Sequence, residues 1–251
     1  MKRFVKDMRH RIVVKLIVVV GFILLATLFT WTYFNIQYQE KKMMHHILSG
    51  TDRLTNTIKL GTQYAMMLNS RDDINQIINN IARQKEIETI RIYNKEGQIK
   101  FSNRPAEIDT ATNISAEACY ICHRTDPPQS RLGLDQRTRI FYSQTGYRLL
   151  GIISPIRNQS GCSTDKCHVH PPDKSILGAL DVVVALEDRD KEISMTRIGM
   201  IGFTGFVFLV TSAIIFIFVL RFVNLPIQKL IDGTRQIAKG VYPVRIDVAH
   251  D

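Results

Sequence analysis

The chain has 251 residues and carries 33 Lys and Arg against 23 Asp and Glu, a formal charge of +10. That length makes one or two domains, and so basic a balance raises a nucleic-acid partner first. No basic stripe interleaved with aromatics and no nucleic-acid motif occurs. Much of the excess flanks two apolar blocks, so no nucleic acid is expected, and the cytoplasmic flanks of a membrane protein account for the charge.

Residues 1–11, MKRFVKDMRHR, hold five Lys or Arg and one Asp and are expected in the cytoplasm. Residues 12–34 are apolar except for Lys15, and about 20 such residues cross the core of a bilayer. Lys15 lies near the basic end, toward which its aliphatic stem can snorkel. Trp31, Tyr33 and Phe34 gather at the other end, where aromatic rings favour the interface. The run is too long for a signal peptide and no small-x-small cleavage site follows it, so an uncleaved transmembrane helix is expected. A second apolar block, residues 198–220, holds no charge and is bracketed by Arg197 and Arg221. Its Gly199, Gly202 and Gly205 leave room for close helix packing, although not at Gly-x-x-x-Gly spacing. Basic flanks on both blocks place residues 35–197 on the far side, the periplasm, of a multi-pass protein of a bacterial inner membrane.

Residues 35–68 read as a helix continuing from the first span. Met44, Ile47, Thr51, Leu54, Ile58, Gly61, Ala65 and Leu68 recur at alternating spacings of three and four, a heptad seam. That seam either packs on its own domain or joins two copies in a parallel homodimer. Residues 71–84 suit a short amphipathic helix with Ile74, Ile77, Ile78 and Ile81 on one face. Residues 88–93 and 98–102 alternate as strands around a turn at Asn94-Lys95-Glu96-Gly97. Further strands are expected at 138–143, 147–155 and 176–186, with a turn at Gln144-Thr145-Gly146. The fold class is therefore α+β: an antiparallel sheet with a long N-terminal helix, flanked by two transmembrane helices. The stretches IRIYNKEGQIKFSN and ILGALDVVVALEDRD resemble the opening and the final strand of a Cache or PAS-like sensor domain. The resemblance spans roughly residues 35–190 and implies a periplasmic sensing domain.

All four cysteines fall in two loops of this plan. Cys119-Tyr-Ile-Cys122-His123 lies in residues 103–136. Cys162-Ser-Thr-Asp-Lys-Cys167-His168-Val-His170 lies in residues 157–175. Each loop then runs through Pro-Pro to Leu-Gly. Cys-x-x-Cys-His is the attachment signal of a c-type haem: two thiols add to porphyrin vinyl groups and the adjacent His is held under the iron. The Cys-x4-Cys-His spacing resembles a variant found in low-potential multihaem cytochromes. Two c-type haems are the expected cofactors, with thioethers at Cys119, Cys122, Cys162 and Cys167 and proximal iron ligands at His123 and His168. Each cluster also suits a small disulfide loop or a zinc site, and both alternatives stay open. For the distal positions, His170 is too near His168 in sequence to reach the far face of the same haem. It suits the other iron, in the same chain or across a dimer, or a propionate. His45, His46, Met43, Met44, Met66 and Met67 are further candidates. A His pair lowers the potential and Met raises it, while an open position admits a gas.

Residues 224–251, NLPIQKLIDGTRQIAKGVYPVRIDVAHD, resemble the start of a HAMP domain. Pro226 begins a helix, and Ile227, Leu230, Thr234, Ile237 and Val241 repeat at spacings of three and four. Gly240 ends that helix, and residues 242–248 resemble the HAMP connector. Residues 221–251 are thus read as a HAMP first helix and connector, with a second helix and an output domain expected beyond. Together the resemblances imply a transmembrane sensor, the input half of a histidine kinase or chemotaxis-type receptor. It would detect redox state or a haem ligand and act on a response regulator or chemotaxis kinase. The alternative is a membrane-anchored dihaem cytochrome serving periplasmic redox partners, which needs neither the Cache-like strands nor the HAMP-like helix. A third reading is a sensor of small organic ligands. No nucleophile motif for hydrolysis or group transfer occurs, so any kinase activity is expected outside this segment.

Overall fold

The computed structural model describes residues 2–159, 162, 170, 171 and 173–238. The chain forms two units, one from Glu40 to Ile193 and one from the residues up to Gln39 and from Ser194 onward. The expected HAMP connector and Gly240 lie outside the described residues.

Helix α1 runs unbroken over Lys2–Met67, and helix α4 spans Glu187–Phe218. Each contains a stretch long and apolar enough to cross a membrane. Phe22, Phe29 and Trp31 on α1 and Phe203, Phe206 and Leu209 on α4 are exposed, as expected of helices apolar all round. The Thr32 and Thr204 hydroxyls meet at 2.8 Å; such a bond between apolar helices contributes about 0.6 kcal/mol. Gly199, Gly202 and Gly205, expected to permit close packing, have nothing within 4 Å of an added Cβ. Within the chain they mark no close approach. After α4 comes a π-helical turn, Val219–Asn224, and then α5, Leu225–Ile237. The helix was expected to begin at Pro226; it continues instead from α4 without a break. Pro226 offers no N–H, and the wider turn, with Leu225 N–H bonded to the Leu220 carbonyl, absorbs the missing donor.

In the other unit, helix α2 covers Arg71–Ile81 and five strands form one antiparallel sheet. They are β1 Ile87–Asn94, β2 Ile99–Ser102, β3 Thr138–Tyr142, β4 Arg148–Arg157 and β5 Ile176–Ala185. Their order is β2-β1-β5-β4-β3, which puts the last strand in the centre. Gly97 at φ 77° and Gly146 at φ 90° close the hairpins in the left-handed region that glycine enters freely.

Alternation along β1 and β5 sends Ile90, Ile92, Leu180, Val182 and Val184 to one face, where Ile58, Ala65, Ile74 and Ile78 from α1 and α2 cover them. Burying an isoleucine contributes about 1.5–3 kcal/mol, so this face fixes both helices. It also takes up part of the seam. Thr51, Ile58 and Ala65 are buried within the domain, and Ile47 and Leu54 pack against its core. Thr51, Thr55 and Thr62 are buried as well; each hydroxyl donates to the carbonyl four residues back, at 2.8–2.9 Å. Part of the pattern of threes and fours on α1 therefore serves a helix-on-sheet face, while Gly61 and Leu68 of the same pattern are exposed.

Candidate functional site

Both cysteine loops leave the sheet where the strand plan put them, one between β2 and β3 and the other between β4 and β5. The first carries helix α3, Glu117–His123. Cys119 and Cys122 are one turn apart on it, which puts both thiols on one side. Ala118 is buried, both cysteines are half-buried, and His123 at the end is exposed. The Cys122 carbonyl accepts the Gln129 N–H at 2.9 Å, which turns the following loop back onto the helix.

A line of charges on the sheet face opposite the apolar core holds α3. Strand register places Arg91 opposite Asp181 and Arg139 opposite Gly151. Asp181 is fully buried in β5 and accepts two bonds from Arg139, at 2.8 and 2.9 Å. Arg91 lies 3.8 Å from Asp181 and donates to Glu107 at 2.6 and 2.8 Å. Arg139 also donates to Glu117, at the start of α3, at 3.2 Å. A Cβ at Gly151 would lie 2.5 Å from the Arg139 Cζ, so glycine there leaves the guanidinium its path to Asp181.

These neighbours set the titration of the site. The Arg91 hydrogen bond holds the Glu107 carboxyl below its ordinary value. Burial first, then Asp181, pushes Tyr93 up to about 12. Burial raises both thiols, and at Cys119 the Asp181 and Cys122 charges add to it while Arg139 opposes. A reactive cysteine thiolate has a lowered pKa; the shift at both of these thiols runs the other way.

Of the second cluster, Cys162 and His170 are described, and both are half-buried. Cys167 and His168 lie outside the described residues. The His170 N–H donates to the Cys162 carbonyl at 3.1 Å, Asn158 Nδ2 to the Pro171 carbonyl at 3.0 Å and the Asn158 N–H to the Ser175 carbonyl at 3.1 Å. Backbone acceptors thus close the base of this loop.

Cys122 lines one cavity, and Cys162 and His170 line another. Beside Cys122 is a space of about 620 Å³ lined by Arg53, Lys59, Arg131, Arg137 and Arg157, with Asp52 the one acid among the described lining residues. Arg137 is paired with Asp52, and Arg157 donates to the Ser130 carbonyl at 2.7 Å. Beside Cys162 and His170 is a space of about 270 Å³ whose walls include Met66, Met67, Ile92 and Phe101. Lys59, Pro155 and Arg157 line both cavities. Burial, then Arg137, lowers the Lys59 ammonium, with Asp52 opposing.

The remaining distal candidates separate. Met66 and Met67 line the smaller cavity. His45 and His46 are exposed neighbours on α1, their ring centroids 6.4 Å apart, and neither lines either cavity. Among the described residues no three His, Cys, Asp or Glu side chains come together as a metal-ion site. Sequence reasoning missed the arginines of the larger cavity and the Arg91–Asp181–Arg139 line. One signal was available: Asp181 interrupts the apolar run of β5, and a charge there requires buried partners. No protein-family model and no curated protein matches this chain.

Proposed function

We propose that this chain is the input half of a transmembrane sensor in a bacterial inner membrane, with a periplasmic Cache- or PAS-like domain carrying two c-type haems and a HAMP-type helix after the second span. The observation that carries the reading is that Cys122 of one cluster, and Cys162 and His170 of the other, each line a cavity beside the sheet. Cys119 and Cys122 would supply the thioethers of the first haem and His123 its axial nitrogen; Cys162, Cys167 and His168 would do so for the second. The donor sets fit. Paired half-buried thiols on one side of α3 suit a bridge to two vinyl groups, and the arginine-rich wall beside Cys122 suits propionate carboxylates. Met66, Met67 and His170 offer the smaller cavity thioether and imidazole groups. Bound haem supplies a one-electron iron couple and, where a position is open, a site for a small gas.

The chain's own residues supply the relay. Glu117 ties α3 to Arg139, Arg139 to Asp181, and Asp181 belongs to β5, which leads through Leu186 directly into α4. At that junction the Leu186 N–H donates to the Arg148 carbonyl at 2.9 Å, and Arg148 Nε to Asp190 at 2.9 Å. A shift of α3 would therefore act through these ion pairs on β5, whose backbone continues into α4, where the Arg148–Asp190 pair holds the junction. Switching elements need such a coupling between a local charge change and a bistable helix.

The test is haem staining and a redox-titrated spectrum of the full chain made in a host with c-type haem attachment. Two covalent haems are expected, and one after Cys119→Ser with Cys122→Ser; no covalent haem ends the reading. Hydrogen exchange of α4 and α5, compared between oxidised and reduced protein, separates sensor from carrier. A redox-dependent change supports sensing. Identical exchange with fast electron transfer to a soluble acceptor supports a dihaem electron carrier instead.

A further inference from the structure

The two cavities are not independent. Lys59, Pro155 and Arg157 belong to the walls of both, whereas Arg131 lines only the larger one and Met66 only the smaller. Lys59 comes from α1 and reaches the Ser154 Oγ of β4 at 3.5 Å. Arg157 ends β4, next to the chain that continues to Cys162. Two cations on a common wall act on any charge placed in either space; half-buried Lys59 is less screened than exposed Arg157.

We propose that Lys59 and Arg157 are shared electrostatic control residues that raise the potentials of both cofactor sites. The inference rests on the two-haem reading. An electron added to either iron lowers the positive charge of its site, so a nearby fixed cation favours the reduced form. Because the same two cations line both spaces, removing either one acts on both potentials. Lys59 sits on α1, the long helix that also includes the first apolar stretch.

The experiment is a potentiometric titration of the full haem-loaded chain, followed by absorbance. Arg131→Gln, whose side chain borders one cavity, lowers one of the two midpoint components. Lys59→Gln lowers both, by about a tenfold change in the one-electron equilibrium, or 59 mV, and Arg157→Gln, more screened, lowers both by less. Lys59→Arg keeps the charge and leaves both near their original values, which a purely structural role for Lys59 does not predict. Arg157 is exposed, so its variant stands in if Lys59→Gln does not fold. A chain that binds two haems, but in which Lys59→Gln or Arg157→Gln moves one component or none, overturns the shared role and leaves the two-haem reading intact. A wild-type chain with fewer than two haems overturns both.

Discussion

The two cysteine loops rise from the same sheet, yet they are held in different ways. The α3 loop is anchored by charge: Glu117, Arg139, Asp181, Arg91 and Glu107 form a line across one sheet face, with Asp181 fully buried. The described base of the β4–β5 loop is anchored by backbone acceptors, the carbonyls of Cys162, Pro171 and Ser175. The difference concerns failure. A line of ion pairs concentrates dependence on single side chains, because an orphaned buried charge costs more than the pair contributes. Backbone hydrogen bonds spread dependence over many small terms. The first loop is therefore breakable at one residue, whereas the described bonds at the base of the second should yield gradually.

Asp181→Ala should have the largest effect. It leaves Arg139 and Arg91 without their shared carboxylate in a buried position, at a cost of about 3–5 kcal/mol. Thermal unfolding of the full chain in detergent should show the loss, with hydrogen exchange rising in α3 before the β4–β5 loop. A loss below about 1 kcal/mol would mean that the line does not anchor α3. Gly178→Ala comes next and tests the other region. A Cβ there would lie 2.1 Å from the Tyr93 carbonyl oxygen, a backbone atom that cannot turn aside. The expected cost is about 1–3 kcal/mol, felt where β5 leaves the second loop. If unfolding instead disturbs α3 first, the two anchors are not separable.

Most of the sheet was legible in the sequence. The strands at 88–93, 98–102, 138–143, 147–155 and 176–186 announced themselves by alternation and by glycine turns, which are local signals. The placement of both cysteine clusters in loops followed from the same reading. The use of the α1 face was not legible. Ile58 and Ala65 at spacings of three and four serve a helix partner and a sheet equally, and only the tertiary contact to Ile90, Leu180 and Val182 shows that these positions pack on the sheet. The basic cavity was hidden for a related reason: Arg53, Arg131 and Arg157 are far apart in sequence and each looks like an ordinary surface cation. Asp181 alone carried a readable warning, and its partners came from two other strands whose pairing no local pattern specifies.

A smaller effect sharpens the comparison on the side of the second loop. Asn158→Ala removes one bond to the Pro171 carbonyl but also removes Oδ1, a buried acceptor with no partner among the described residues. The lost bond costs about 0.5–1.5 kcal/mol and the lost orphan acceptor offsets part of it. Denaturant unfolding should therefore report less than 1.5 kcal/mol, well below Asp181→Ala. A larger loss would mean that this loop also hangs on a single side chain.

The smallest effect is a matter of pH, and its sign follows from Glu107. The Arg91 hydrogen bond lowers the folded-state pKa of this carboxyl below the ordinary value near ~4.3. A depressed carboxylate contributes stability above the unfolded pKa, and that stability is lost as pH falls through the folded value. Acidification from about pH 5 downward should therefore weaken the charge-anchored region first. Exchange in β1 and α3 should rise while Asn158, Pro171 and Ser175 keep their neutral bonds. Glu107→Gln removes the titrating group and should flatten this part of the pH profile while lowering stability at neutral pH. If the slope survives in that variant, the acid sensitivity belongs to other carboxylates and the Arg91 end of the line is not its origin.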